Sequence, residues 1–260
     1  MAPQPGVATA IIGALLGLVL GSFLNVCVLA WAAEPKGKVA GRRSNCPKCG
    51  TQIAWYDNIP IFSWIWLGAR CRHCQQSISA MYPLVELATA TIWGYFTWRH
   101  GLTLEAVRGA VFFTLLLGIA VSDFRAYLIP DEFSLGGLVL GVALSATSID
   151  ALSQALLGTA VGFGILWLIG FAGAAVFKQD AMGGGDIKMM AMVGAFVGWT
   201  GTLLTIFLGA VLGSVVFVPL ALLGRRQLVP FGIFLAGGAA VTYLFGQDLI
   251  NWYLGLAGFK

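Results

Sequence analysis

Charge is what this 260-residue sequence has least of: Asp, Glu, Lys and Arg make up 10% of it, against about 25% in an average soluble domain. Water is therefore not its main solvent. Histidine is nearly absent too, with only His73 and His100 and no H-E-x-x-H, which excludes the usual zinc-protease arrangement. No G-x4-G-K-[ST] phosphate loop occurs, and no internal repeat supports an inverted-repeat transporter. The basic residues behind the net charge of +4 are spread over several short loops and do not form the one continuous basic patch of a nucleic-acid surface.

What fills the chain is hydrophobic residues, 58%, and 35 glycines. A bilayer core roughly 30 Å thick needs about 20 apolar residues per helix. Uncharged runs near that length predict spans at 7–32, 84–98, 107–123, 133–147, 155–177, 187–199, 203–223 and 231–249. The fold class expected is an all-α polytopic membrane protein of about eight helices, with glycine serving close helix packing. The first run lacks a basic segment before it and a clean cleavage site, so it reads as a retained span and not a signal peptide. Three regions follow: a first transmembrane helix (1–32), a polar loop (33–82) and a transmembrane bundle (83–260).

With alternating sides, the loops 33–82, 124–132, 178–186 and 224–230 share one face and, with Lys188, hold 12 of the 15 Lys and Arg. The positive-inside rule makes that face cytoplasmic and puts both termini outside.

The polar loop carries Cys46-Pro-Lys-Cys49 and Cys71-Arg-His-Cys74, two C-x2-C pairs. Four thiolates suit tetrahedral zinc, and Gly50 permits the turn behind the first pair. Two disulfides are the alternative, disfavoured in a reducing compartment. A site with four sulfurs has no open position, so its zinc is structural. His73 reads as a solvated loop residue and Cys27 as a small buried apolar one.

Carboxylates within or at the edge of a span are costly and hence functional candidates. Asp123 and Asp186 both fall at cytoplasmic helix ends, at similar depth. Two facing carboxylates that share a proton form the acid–base pair of an aspartic protease. Gly183, Gly184 and Gly185 remove side-chain bulk and permit unusual backbone angles, which suits an extended substrate strand. The structural alternatives are an N-cap for Asp186 and a pair with Arg125 or Lys188 for Asp123.

Together these residues resemble the type IV prepilin peptidases, of the GxGD class of intramembrane aspartyl proteases. The resemblance runs through Gly21-Ser-Phe-Leu-Asn-Val26, the cysteine run from Arg43, Trp55-Tyr-Asp-Asn-Ile-Pro60, Tyr82-Pro-Leu-Val-Glu86, Asp123 with Ile129-Pro-Asp131, Gly183-x-Gly-Asp186-x-Lys188, and Pro230-Phe-Gly232. It departs in a short stretch between Val26 and Arg42 and in Ile233, where the family commonly has Pro. The resemblance implies Asp123 and Asp186 as the catalytic pair. It implies prepilins or pseudopilins of a pilus or type II secretion system as substrates, cut at the cytoplasmic face of the bacterial inner membrane, and Gly183, Gly185 and Lys188 of the motif are substrate-site candidates. It also implies a second activity, methylation of the new N-terminal amine from S-adenosylmethionine, for which Asn25, Arg42, Arg43 and Glu86 are the candidates. Partners are then the pilin substrates and the lipid bilayer, with no nucleic acid. The rival reading is a non-enzymatic scaffold that docks secretion partners through its zinc loop.

Overall fold

The computed structural model describes residues 6–31, 44–46, 48–178, 182–223, 230–256 and 258. Its helices are α1 (Val7–Trp31), a 3-10 turn (Trp55–Asn58), α2 (Phe62–Trp66), α3 (Met81–His100), α4 (Leu104–Ala126), α5 (Asp131–Ser145), α6 (Ile149–Phe177), α7 (Gly184–Leu222) and α8 (Phe231–Leu256). Five of them, α1, α4, α6, α7 and α8, are long and apolar enough to cross a membrane. The chain is an all-α, multi-pass membrane protein. It divides into two units, Met1–Gly118 and Ile119–Lys260.

In the first unit α1 and α3 pack antiparallel along a glycine stripe. A Cβ on Gly17 would stand 2.6 Å from the Thr89 carbonyl oxygen, and one on Gly21 2.7 Å from Glu86 Cα. Gly13 meets Thr97 in the same way. Spaced four apart, these glycines share one helix face and let the backbones touch, which is how helices associate where lipid offers no hydrophobic drive. α3 runs beside α1, although its own sequence is less apolar and it is not one of those five helices. Pro83 is tolerated because it falls in the first turn, where its missing N–H has no helical partner anyway.

The second unit is built on α6, α7 and α8, with α5 against α7. α7 is not one straight rod. Gly198 has φ 70° and ψ 179°, and a Cβ on Gly162 of α6 would touch both Met190 and Thr202. In a continuous helix those two residues would lie about 18 Å apart, so the chain folds back at Gly198. The expected sixth and seventh spans are these two arms. The sequence expectation errs only in putting a short loop between them: a single glycine reverses the chain, in a backbone region essentially closed to other residues. α8 packs on the second arm, where Gly238 would bring a Cβ to 2.9 Å from the Thr205 carbonyl oxygen.

Candidate active site and metal centre

α4 ends where Tyr127 turns left-handed, at φ 51°, its N–H reaching the Asp123 carbonyl. Two residues later Ile129 and Pro130 are buried, and Pro130 caps the start of α5. This sharp connection leaves Asp123 on the last turn of α4 with only 6% of its surface exposed. α7 begins at Gly184 after Gly183, so Asp186 is its third residue and not its N-cap. An acid in a first helical turn complements the helix dipole.

Three close approaches tie these two acids into one place. A Cβ on Gly232, in the first turn of α8, would lie 2.8 Å from Asp123 Oδ2 and 2.9 Å from Ile129 Cδ1. A Cβ on Gly185 would lie 2.9 Å from Ile129 Cβ, and one on Gly183 2.9 Å from Asp186 Oδ2. Ile129 is thus wedged between the starts of α7 and α8. The amides of Gly232 and Ile233 face the Asp123 carboxylate, as free N–H groups at a helix start face anions generally. Asp186 lies within electrostatic reach of Asp123. Asp123 Oδ2 and Asp186 Oδ1 are both buried with no hydrogen-bond partner among the described residues.

Lys188 donates to Asp131 Oδ1 at 2.8 Å and is therefore not the counter-ion of Asp123. Gly183 is extended (φ −66°, ψ 134°) and exposed, and neither it nor Gly184 or Gly185 has a positive φ. The unusual angles expected of this run are not found. Glycine is needed at 183 and 185 for space.

In the first unit, the sulfurs of Cys46, Cys49, Cys71 and Cys74 all lie within 4.8 Å of one another. Four sulfurs at about 2.3 Å from a tetrahedral zinc would be separated by about 3.8 Å, and Cys46 and Cys74 stand at 3.9 Å. The cysteines are free, not bridged. Each pair sits in the same turn: the N–H of Gly50 donates to the Cys46 carbonyl and that of Gln75 to the Cys71 carbonyl. Small antiparallel bridges, Asn45 with Gln52 and Arg70 with Ser77, close them. Hydrogen bonding with Thr51 brings the Cys49 thiol down to about 6, and the amides of Cys74 and His73 lower Cys71. Those two shifts favour the thiolate, which is the ligand form, while desolvation and the three neighbouring sulfurs push Cys74 up to about 11. The donor set fits a closed structural zinc site.

Residues 15–100 match the Bacterial Peptidase A24 N-terminal domain, and residues 110–218 match the Type IV leader peptidase family. A Pseudomonas aeruginosa protein named Prepilin leader peptidase/N-methyltransferase is 36% identical over 271 residues, 95% of this chain and 93% of its own length. The chain belongs to the type IV leader peptidase family. Proteins of the same name from Stutzerimonas stutzeri and Myxococcus xanthus are 34% and 38% identical, covering 94% and 82% of this chain. The match takes in 93% of the first of these and 63% of the second. No solved structure matches the chain. The leader-peptidase match contains both Asp123 and Asp186, and the N-terminal match contains all four cysteines.

Of the methyl-donor candidates, Asn25 donates from Nδ2 to the Tyr82 carbonyl at 3.1 Å, and Glu86 Oε2 accepts from the Ile61 N–H at 2.7 Å. The two stand at one end of the α1–α3 pair, where the cysteine loop attaches. Arg42 and Arg43 lie outside the described residues.

Sequence reasoning names Pro230–Gly232 as a motif without giving it a place. The signal was available: Pro before an apolar run marks a helix start, and a helix start presents free amides. Also unforeseen is the bidentate pair of Arg72 with Asp57, at 2.6 and 2.8 Å. It holds the Asp57 carboxyl below its ordinary range.

Proposed function

We propose that this chain is a membrane aspartyl endopeptidase that removes the leader of type IV prepilins or pseudopilins, with Asp123 and Asp186 as its catalytic pair. It works at the cytoplasmic face of the bacterial inner membrane and then methylates the new N-terminal amine. The observation that carries the reading is the pair of buried carboxylate oxygens, Asp123 Oδ2 and Asp186 Oδ1, brought together from different helices and without a hydrogen-bond partner among the described residues. Buried polar atoms are normally paired. A docking scaffold has no use for two that are not.

A water between the two carboxylates supplies the chemistry. The ionised one takes a proton as the water oxygen attacks the scissile carbonyl carbon, and the protonated one gives its proton to the carbonyl oxygen. Collapse of the tetrahedral intermediate breaks the C–N bond, and the proton just taken passes to the leaving amine. The amides of Gly232 and Ile233 orient Asp123, and the exposed extended backbone at Gly183 offers an edge for a substrate strand.

Zinc would be held by Cys46, Cys49, Cys71 and Cys74 and would fix the loop's shape, taking no part in hydrolysis. S-adenosylmethionine would supply the methyl group. The relatives' names support this second activity, and the loop attachment at Asn25 and Glu86 is where the proposal puts it, with Arg42 and Arg43 from the adjoining segment.

Purified chain in detergent, given a synthetic prepilin with and without S-adenosylmethionine and followed by mass, tests both reactions. Asp123→Asn and Asp186→Asn are expected to abolish cleavage with the protein still inserted. Wild-type cleavage by either removes the pair from the mechanism.

A further inference from the structure

The cysteine loop bears an apolar face that the zinc site and the peptidase reading leave unused. In α2, Phe62, Ile65 and Trp66 fall at i, i+3 and i+4, one side of a helix, and are 59%, 64% and 74% exposed. Phe62 and Trp66 stack with ring centroids 6.0 Å apart. Trp55 and Tyr56, just before, are exposed as well. The opposite side is fastened down: Ser63 is buried and donates to the Tyr56 carbonyl, and the Trp64 indole N–H donates to the Ile78 carbonyl.

The height of this face is fixed. Ile61 precedes α2 in a three-residue turn with φ 60° and ψ −51°, closed by the Phe62 N–H on the Pro60 carbonyl. This geometry is strained for a β-branched residue. Glu86 holds it, accepting the Ile61 N–H at 2.7 Å. α3 is about 30 Å long, the thickness of the hydrocarbon layer, and Glu86 lies five residues, about 7.5 Å, from its start. α2 is therefore pinned beside the end of the α1–α3 pair, of which α1 is long and apolar enough to cross a membrane. Leu84 and Leu87, on either side of Glu86 in α3, are exposed in the same turns.

We propose that Phe62, Ile65 and Trp66, with Trp55 and Tyr56, form an interfacial anchor that lays α2 into the headgroup–acyl boundary and holds the cysteine loop against the bilayer. The occupant is lipid, because α2 is tied through Glu86 to the partner of α1, a helix long and apolar enough to cross a membrane, beside the exposed Leu84 and Leu87. Aromatic rings with one polar edge favour that depth.

The test uses the full chain in proteoliposomes. The chain has nine tryptophans, so the emission of Trp66 and Trp55 is obtained by difference from Trp66→Phe and Trp55→Phe, conservative changes at exposed positions. The Trp66 component is expected to be quenched by phosphatidylcholine brominated on its acyl chains and shielded from aqueous iodide. The double variant Phe62→Ser with Ile65→Ser is expected to reverse that preference. A Trp66 component quenched by iodide and indifferent to brominated lipid puts the face in water and overturns the proposal. One shielded from both puts a protein surface over it, which overturns it equally.

Discussion

Gly232 stands where any side chain would press on Asp123: a Cβ there would lie 2.8 Å from the carboxylate Oδ2. Gly232→Ala is therefore expected to displace the carboxylate while leaving the bundle intact. A misplacement of about 1 Å at a reacting group costs roughly 100-fold in rate, and the loss should appear in kcat. Unchanged kcat with a raised KM would place Gly232 in substrate binding instead.

Gly198 reverses α7 at φ 70° and ψ 179°. Gly198→Ala is expected to lower stability by about 1–3 kcal/mol, the usual cost of forcing a side chain into such a region. Thermal unfolding in detergent measures it, and a neutral result would mean the reversal is made some other way.

One zinc per chain is expected by elemental analysis, and removal by chelator should loosen the loop more than the bundle. Cys49→Ser and Cys71→Ser should each lower zinc content. Finding two disulfides by mass would overturn the site.

Gln75 occupies the position in the second knuckle that Gly50 occupies in the first, at φ 57° against 72°. A side chain in the left-handed region costs roughly 1 kcal/mol. Gln75→Gly should leave zinc affinity unchanged or raise it, by metal competition at fixed pH, even though the side chain's bond to the Arg72 carbonyl is lost.

Glu86→Gln keeps an acceptor for the Ile61 N–H, whereas Glu86→Ala leaves that strained amide unpaired. The alanine variant is expected to destabilise the loop by about 1–3 kcal/mol, read as faster amide exchange over residues 55–66. If both variants exchange alike and both lose methylation, Glu86 acts in the reaction and not through the loop.

Much of this was legible in the sequence because its signals are local. Apolar runs placed the helices, C-x2-C spacing placed the cysteine cluster, and scarcity made each membrane-edge carboxylate conspicuous, Asp123 and Asp186 among them. What escaped depends on contacts distant in the chain. Nothing near Lys188 says that it chooses Asp131 over Asp123, since that choice is made by how α5 lies against α7. Glu86 stands out as a carboxylate in a span and becomes a methyl-transfer candidate through the resemblance, but only the fold reveals its bond to an amide 25 positions earlier. The glycines before Asp186 suggest freedom of backbone angle, and only packing shows that Ile129 takes the room.

The glycine stripe of α1 also bears on how the protein is made. Gly13, Gly17 and Gly21 have no partner until α3 is synthesised, and Glu86 follows Gly21 by 65 positions. At about 5–20 residues per second of translation, α1 waits roughly 3–13 seconds in the membrane with its stripe uncovered. All four cysteines are made within that interval, so the loop can bring them together before α3 arrives.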